Sequence, residues 1–205
     1  GRTELARSIF GVDHHKGGKV FIDGQEMKIK SPRDAINAGI AFITEDRKNE
    51  GLLLDMTLDL NIAIANMDKF KGSTGLLDVK EMRKEAQKYV KELKIRPGNI
   101  ELHSRNLSGG NQQKVVIAKW LCTHAKVFIF DEPTRGIDVG AKVEVYRLMN
   151  QLVENGSIVL MISSDLPEIL GMCDRVLVMS EGKLTANLPI EEASQDRIMK
   201  AATGG

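Results

Sequence analysis

The stretch NLSGGNQQKVVIAKWLCTHAKVFIFDEPTRGID, from Asn106 to Asp138, decides the fold. It opens on the turn Ser108-Gly109-Gly110, followed by apolar residues at helical spacing: Val115, Ile117, Ala118 and Leu121. Ser108 is a favourable helix N-cap, and the two glycines let backbone N–H groups approach a ligand closely. Because bare N–H groups at a helix N-terminus attract anions, this half of the stretch predicts an anion site.

The second half of the stretch combines a buried strand with two carboxylates. The apolar run 127–130 predicts a strand covered on both faces, and Asp131, Glu132 and Pro133 follow it. Carboxylates at the carboxyl end of a parallel strand are typical of Mg²⁺-phosphate sites in α/β proteins. Each half alone has an ordinary explanation, a capped turn or a solvated loop. Their order and spacing together favour a nucleotide site.

Composition limits the classes of protein to consider. The 205 residues are enough for one domain with a substantial core. Lys and Arg total 29 against 28 for Asp and Glu, a net charge of +1, so nucleic acid is not an expected partner. Cys122 and Cys173 are interpreted as reduced core residues, with one disulfide as the alternative. The four histidines show no metal-ligand spacing.

Neither a membrane span nor a signal peptide is evident in the sequence. No apolar run approaches the roughly 18 residues that cross a bilayer, and the chain opens on charged residues. We therefore expect a soluble protein whose membrane contact goes through a partner.

The flanking sequence predicts the remaining elements. Runs 40–44 and 157–162 are expected to join 127–131 in a mainly parallel sheet, with hairpins at Asp23-Gly24 and Glu181-Gly182. Helices are expected over the first ten residues, after Ser31, after Thr57 as a cap, over 78–94, over 139–154, and from near Ile190. Their predicted apolar faces include Leu5, Ile9 and Phe10 in the first helix; Val79, Met82, Ala86, Tyr89, Val90 and Leu93; and Val143, Val145, Tyr146, Leu148, Met149 and Leu152.

These motifs resemble the ATP-binding cassette (ABC) ATPases: LSGGNQ is similar to their signature motif, VFIFDE to their Walker B strand, and RGID (135–138) to their D-loop. The resemblance implies an α/β fold with a P-loop NTPase core, a mainly parallel sheet, a small antiparallel portion and a helical subdomain at about 56–122. It covers residues 1–205 as one nucleotide-binding domain, beginning inside the phosphate loop, without the N-terminal strand.

Within that family, the sequence is most similar to the second nucleotide-binding domain of bacterial monosaccharide importers of the ribose, allose and galactose type. The residues that carry this are GRTE at 1–4, TEDRKNEGL at 44–52, LSGGNQQKV at 107–115, DEPTRGIDVGAK at 131–142 and SSDLPEILG at 163–171. The resemblance does not identify the sugar. Thr44 stands where proline is more usual.

The resemblance also implies ATP and Mg²⁺ as cofactors and assigns residues to them. Thr3 and Asp131 are expected to bind the metal, and the expected catalytic positions are Glu132 as general base, Glu45 at the place of the Q-loop Gln and Ser164 at the place of the γ-phosphate-sensing His. Nucleotide contacts are expected from Arg2, in place of the phosphate-loop Lys, and from Thr3, Ser108, Gly109, Gly110, Asn111, Gln112 and Asp138.

This assignment is asymmetric, since the Lys, Gln and His of the chain's own site are replaced while the signature is intact. Arg is bulkier than Lys and forked, so it is not a neutral replacement in a phosphate cradle. The resemblance therefore implies a sugar-import ATPase domain whose signature completes a site on the preceding domain of the same polypeptide. The isolated chain is expected to be inactive.

The other implied partners are membrane-spanning permease subunits and, indirectly, a periplasmic sugar-binding protein, at the cytoplasmic face of the bacterial inner membrane. Two alternatives remain open: a regulatory domain that binds nucleotide without hydrolysis, and an ABC ATPase that handles nucleic acid. The balanced charge argues against the second.

Overall fold

The computed structural model describes residues 1–15, 17–72 and 75–204. The α-helices, in chain order, are α1 (Arg2–Ile9), α2 (Pro32–Asn37), α3 (Leu58–Ala63), α4 (Val79–Glu92), α5 (Gly109–Leu121), α6 (Val139–Glu154), α7 (Leu166–Met172) and α8 (Gln195–Thr203). The strands are β1 (Val20–Ile22), β2 (Gln25–Met27), β3 (Ile40–Ile43), β4 (Val127–Asp131), β5 (Ile158–Ile162), β6 (Arg175–Ser180) and β7 (Lys183–Pro189). A single π-helical turn covers Arg47–Gly51, and 3₁₀ turns cover Ile64–Phe70, Ser104–Asn106 and Ile190–Glu192.

A parallel three-stranded sheet, ordered β3-β4-β5, lies at the centre of the fold. Its middle strand β4 is the continuous apolar run of the sequence, and Phe128, Ile129 and Phe130 are at most 1% exposed. A strand of this composition needs cover on both faces, which a central parallel strand receives. The prediction of a mainly parallel sheet containing these three strands is confirmed.

Two antiparallel hairpins form separate two-stranded sheets. The chain turns between β1 and β2 at Asp23-Gly24, with φ of 51° and 77°, and between β6 and β7 at Glu181-Gly182, with φ of 50° and 77°. Two consecutive residues with positive φ are typical of type I′ turns, in which glycine at the second position is favoured. Both predicted hairpins are confirmed.

Helix α5 joins the sheet to the helical part of the fold. It contacts α3, α4, α6 and β3. Residues 115–118 are fully buried, and even Lys114 and Lys119 are at most 9% exposed. A helix that is covered on all sides holds its N-terminus in a fixed position relative to the sheet.

Some predicted core positions are wrong. Leu5 is 47% exposed, because α1 turns Ala6 and Phe10, one helical turn apart, towards the core. The Phe10 ring packs against Phe42 and Trp120, each with a centroid distance of 5.5 Å.

Two more positions on predicted apolar faces are solvent-facing. Val79 is 46% exposed because it is the first residue of α4, beyond the end of the core. Val143 is 41% exposed, while Ala141, Val145, Met149 and Leu152 form the buried face of α6.

Thr57 occupies the N-cap position of α3, as predicted, but its hydroxyl donates to the carboxylate of Asp59 and makes no cap hydrogen bond. Helix α3 ends at Ala63 and continues as the 3₁₀ turn Ile64–Phe70, in which Asn66 leaves helical geometry with φ −139°.

The last helix begins at Gln195, since the Ser194 hydroxyl caps it by accepting from the N–H of Arg197. The expectation of a helix from near Ile190 is therefore wrong: Ile190–Glu192 forms a 3₁₀ turn.

Both cysteines are free thiols, so the structure favours the reduced state over a disulfide. Across the described ranges, no helix combines the length and apolar character that a membrane crossing requires.

Candidate functional site

Asp131, the last residue of β4, is the most unusual polar group of the fold. It is 1% exposed, and neither carboxylate oxygen has a hydrogen-bond partner among the described residues. Burial raises the pKa of Asp131, against the opposing effects of the Thr3 hydroxyl and the Arg2 charge. A buried carboxylate without donors is costly unless a cation pairs with it. The Asp131 carboxylate and the Thr3 hydroxyl are hard oxygen ligands that suit Mg²⁺.

Glu132 follows in a strained backbone conformation. Its φ is 47°, which is uncommon for a residue with a side chain, and its N–H donates to the Ile162 carbonyl at 2.9 Å. The chain therefore leaves the strand direction at this residue. Glu132 and the exposed Ser164 line the same cleft of about 350 Å³, so the structure brings together two of the predicted catalytic positions.

The other replaced positions make contacts within the chain. One Arg2 guanidinium nitrogen donates to the Ser163 carbonyl at 2.6 Å, so α1 is joined to the end of β5. Glu45, which follows β3, forms an ion pair with Arg135 of the D-loop. Both side chains therefore have partners in the chain without a nucleotide.

The signature motif forms the start of α5, as predicted. The Ser108 hydroxyl accepts from the N–H of Asn111 and from its side-chain amide, at 3.5 and 2.9 Å. A Cβ on Gly110 would lie 2.6 Å from the Cβ of Ala141 in α6. Packing of α5 against α6 thus requires glycine at this second position of the motif.

Three predicted nucleotide contacts have internal roles. The side-chain amide oxygen of Asn111 (Oδ1) accepts from the backbone N–H of Arg96 at 2.8 Å. Gln112 is 5% exposed and donates to the Ser104 carbonyl at 3.2 Å, so its side chain lies in the core. Asp138 is exposed and caps α6 by accepting from the N–H of Ala141 at 2.9 Å.

Glu168 was missed by sequence reasoning. It is 5% exposed, and its two oxygens accept from the hydroxyls of Thr134 and Ser163. Thr134 follows the Walker B carboxylates and Ser163 follows β5, so Glu168 joins the two loops that line the cleft. Burial and Glu168 together raise the pKa of Tyr146. The sequence signal was weak, because an acidic residue in a first helical turn is ordinary.

Comparison with known proteins gives close relatives. A family model described as ABC transporter matches residues 1–135. Over its full length the chain is 52% identical to the ribose import ATP-binding protein RbsA of Oceanobacillus iheyensis and 51% identical to that of Bacillus subtilis. It is 55% identical over 206 aligned residues to the xylose import ATP-binding protein XylG of Thermoanaerobacter pseudethanolicus. The chain spans 41% of the length of each, in the C-terminal half.

Solved structures agree on the fold. An ATP-binding cassette of an ABC transporter in its ADP conformation matches with a TM-score of 0.80 at 22% identity, over 100% of this chain and 84% of that one. A nucleotide-free ATP-binding cassette from an ABC transporter matches with a TM-score of 0.79 at 22% identity, over 100% and 80% of the two chains. Together with the family model and the relatives of about 50% identity, these matches establish that the chain belongs to the ABC transporter family of ATP-binding proteins.

Proposed function

We propose that this chain is an ATP-binding domain that energises import of a monosaccharide, and that its signature motif completes a nucleotide site on a second nucleotide-binding domain. The family and the names of the relatives, ribose and xylose import ATP-binding proteins, support the first part. The cofactors would be ATP and Mg²⁺, with Thr3 and Asp131 as metal ligands.

One observation carries the second part: two of the three replaced residues of the chain's own site, Arg2 and Glu45, are bonded within the chain, while the signature end of α5 is exposed at Ser108. Arg2 is bonded to Ser163 and Glu45 to Arg135. Ser108, by contrast, is exposed at the N-terminus of a 13-residue helix. The positive end of a long helix, with its unpaired N–H groups, suits a phosphate that arrives from outside the chain.

The mechanism follows from that geometry. The Ser108 hydroxyl and the N–H groups of Gly109 and Gly110 would donate to the γ-phosphate of the partner's nucleotide. Mg²⁺ would neutralise phosphate charge at a site that holds it. Donors that meet charge as it develops in the transition state accelerate the reaction, and loss of one such donor costs on the order of a hundredfold to a thousandfold.

The partners of this arrangement would be the preceding nucleotide-binding domain of the same polypeptide and the permease subunits, with a periplasmic sugar-binding protein acting through the permease. The chain spans 41% of its relatives' length, which leaves room in such proteins for a preceding domain of similar size. The complex would lie at the cytoplasmic face of the inner membrane.

The test compares two substitutions in the full-length subunit assembled with its permease. Ser108→Arg is expected to abolish ATP turnover and sugar uptake, because it places a long side chain at the signature. Arg2→Ala should leave much of both, since Arg2 serves the altered site. If Arg2→Ala were the more damaging change, the roles of the two sites would have to be reversed.

A further inference from the structure

Arg47 lies in the charged segment that follows β3. Its side chain is half-buried, and its guanidinium donates through Nη1 to the carbonyl of Arg135 and through Nη2 to that of Gly136, each at 3.0 Å. These carbonyls are adjacent in the D-loop. The planar, forked guanidinium can serve both at once, which a lysine ammonium on a single stem does poorly.

The same guanidinium also touches the signature motif. A Cβ on Gly109 would lie 2.8 Å from Nη2 of Arg47 and 3.4 Å from the Gly136 carbonyl oxygen. No side chain fits there unless Arg47 moves. Because Gly109 has no side chain, Arg47 can reach the D-loop at this position. Arg47, the D-loop and the signature motif therefore meet at one point.

The far end of this segment is fixed as well. Residues Arg47–Gly51 form the π-helical turn, which Asp46 caps by accepting from the N–H groups of Lys48 and Asn49 at 3.1 Å. The Gly51 carbonyl accepts from the buried Lys119 ammonium of α5 at 2.6 Å. The turn is thus joined to the D-loop at one end and to the signature helix at the other.

We propose that Arg47 is a positioning residue that holds the D-loop against the signature motif, so that displacement of the turn at 47–51 is transmitted to both. Its catalytic consequence rests on the proposed function, in which the signature acts on a partner's nucleotide. A shift of about 1 Å in a catalytic group costs on the order of a hundredfold in rate. Loss of the two hydrogen bonds should therefore lower turnover while nucleotide binding, made mainly by the partner's own phosphate loop, persists.

The experiment uses the full-length subunit assembled with its permease and compares Arg47→Ala, Arg47→Lys and Lys48→Ala. Lys48 is exposed and adjacent, so its removal is a matched loss of one positive charge. Two quantities are measured: hydrogen exchange of amides in the D-loop peptide, and kcat and KM for ATP. Ser108→Arg is included as the reference for the proposed function.

Arg47→Ala should accelerate exchange at 135–138 and lower kcat tenfold or more, with KM changed less than about threefold. Arg47→Lys should be intermediate, and Lys48→Ala should match the wild type. Unchanged exchange in Arg47→Ala would overturn the positioning role. Faster exchange with unchanged kcat, while Ser108→Arg is inactive, would overturn the transmission to the signature. Full ATP turnover in Ser108→Arg would instead refute the proposed function. The hydrogen-exchange result alone would then decide whether Arg47 positions the D-loop.

Discussion

Replacing Asp131 by Asn is expected to stabilise the metal-free domain. The carboxylate is 1% exposed, and its oxygens receive no hydrogen bond within the described ranges. Asn has nearly the same shape, so it removes the charge without opening a cavity. The substitution thus separates the cost of the buried charge from the packing of β4.

The size of the effect follows from the burial. An unsatisfied buried polar group costs about 1–3 kcal/mol, and a charged one costs more. An asparagine side chain would still be a buried polar group without partners, so that part of the cost remains. In the wild type, attraction to the nearby Arg2 offsets part of the cost of burying the charge. The net gain in the free energy of unfolding should be about 1–2 kcal/mol at pH 7.

Urea unfolding of the 205-residue chain in the presence of a chelator measures this gain. Trp120, the one tryptophan in the sequence, is 7% exposed and reports unfolding by fluorescence. Asp174→Asn is the control, because Asp174 is exposed and should change stability by less than about 0.5 kcal/mol. A loss of 1 kcal/mol or more in Asp131→Asn would refute the idea that this carboxylate is destabilising without a cation.

Two further predictions use the same assay. Glu168→Ala should lose about 2–4 kcal/mol of stability, because two hydroxyls lose their acceptor, whereas Glu168→Gln should lose about 1 kcal/mol; equal values for the two variants would contradict this role. Burial lowers the pKa of Lys119 to about 8. The unfolded chain, with a lysine pKa near 10.4, then binds more protons above pH 8, so stability should rise by about 2 kcal/mol between pH 7 and 9.5 relative to Lys119→Met. A constant difference between these two proteins over that range would exclude a depressed pKa.

The sequence predicted most of the fold because strong local signals agreed with the tertiary structure. The apolar run at 127–130 could only be a strand covered on both faces, and Ser108 with two glycines marked a helix start. The errors lie where the tertiary environment decides. Leu5 and Val79 fit an apolar stripe on their helices, yet neither has an element packed over it.

From the sequence, residues of the candidate site could be predicted only where they belong to a recognisable motif. Asp131 and Glu132 were predicted from their position at the end of a strand, although the lack of a hydrogen-bond partner for the Asp131 carboxylate among the described residues is a tertiary property. The longest-range hydrogen bonds of Arg47 and Glu168 join them to residues 89 and 34 positions away in the chain. The local sequence around a charged residue does not reveal such distant partners, because a solvated Arg and an Arg that bonds to a distant loop can have the same neighbours in the chain.

The packing of the signature helix is compatible with the proposed combination of an altered site and an intact signature. The start of α5 is held by the buried residues 115–118, by contact of Gly110 with Ala141 and by contact of Gly109 with Arg47. None of these contacts involves the Arg at position 2 or the Ser at position 164. The residues that would serve the chain's own nucleotide can therefore differ without moving the signature. A side chain at Gly109 or Gly110, by contrast, would displace the Arg47 guanidinium or α6.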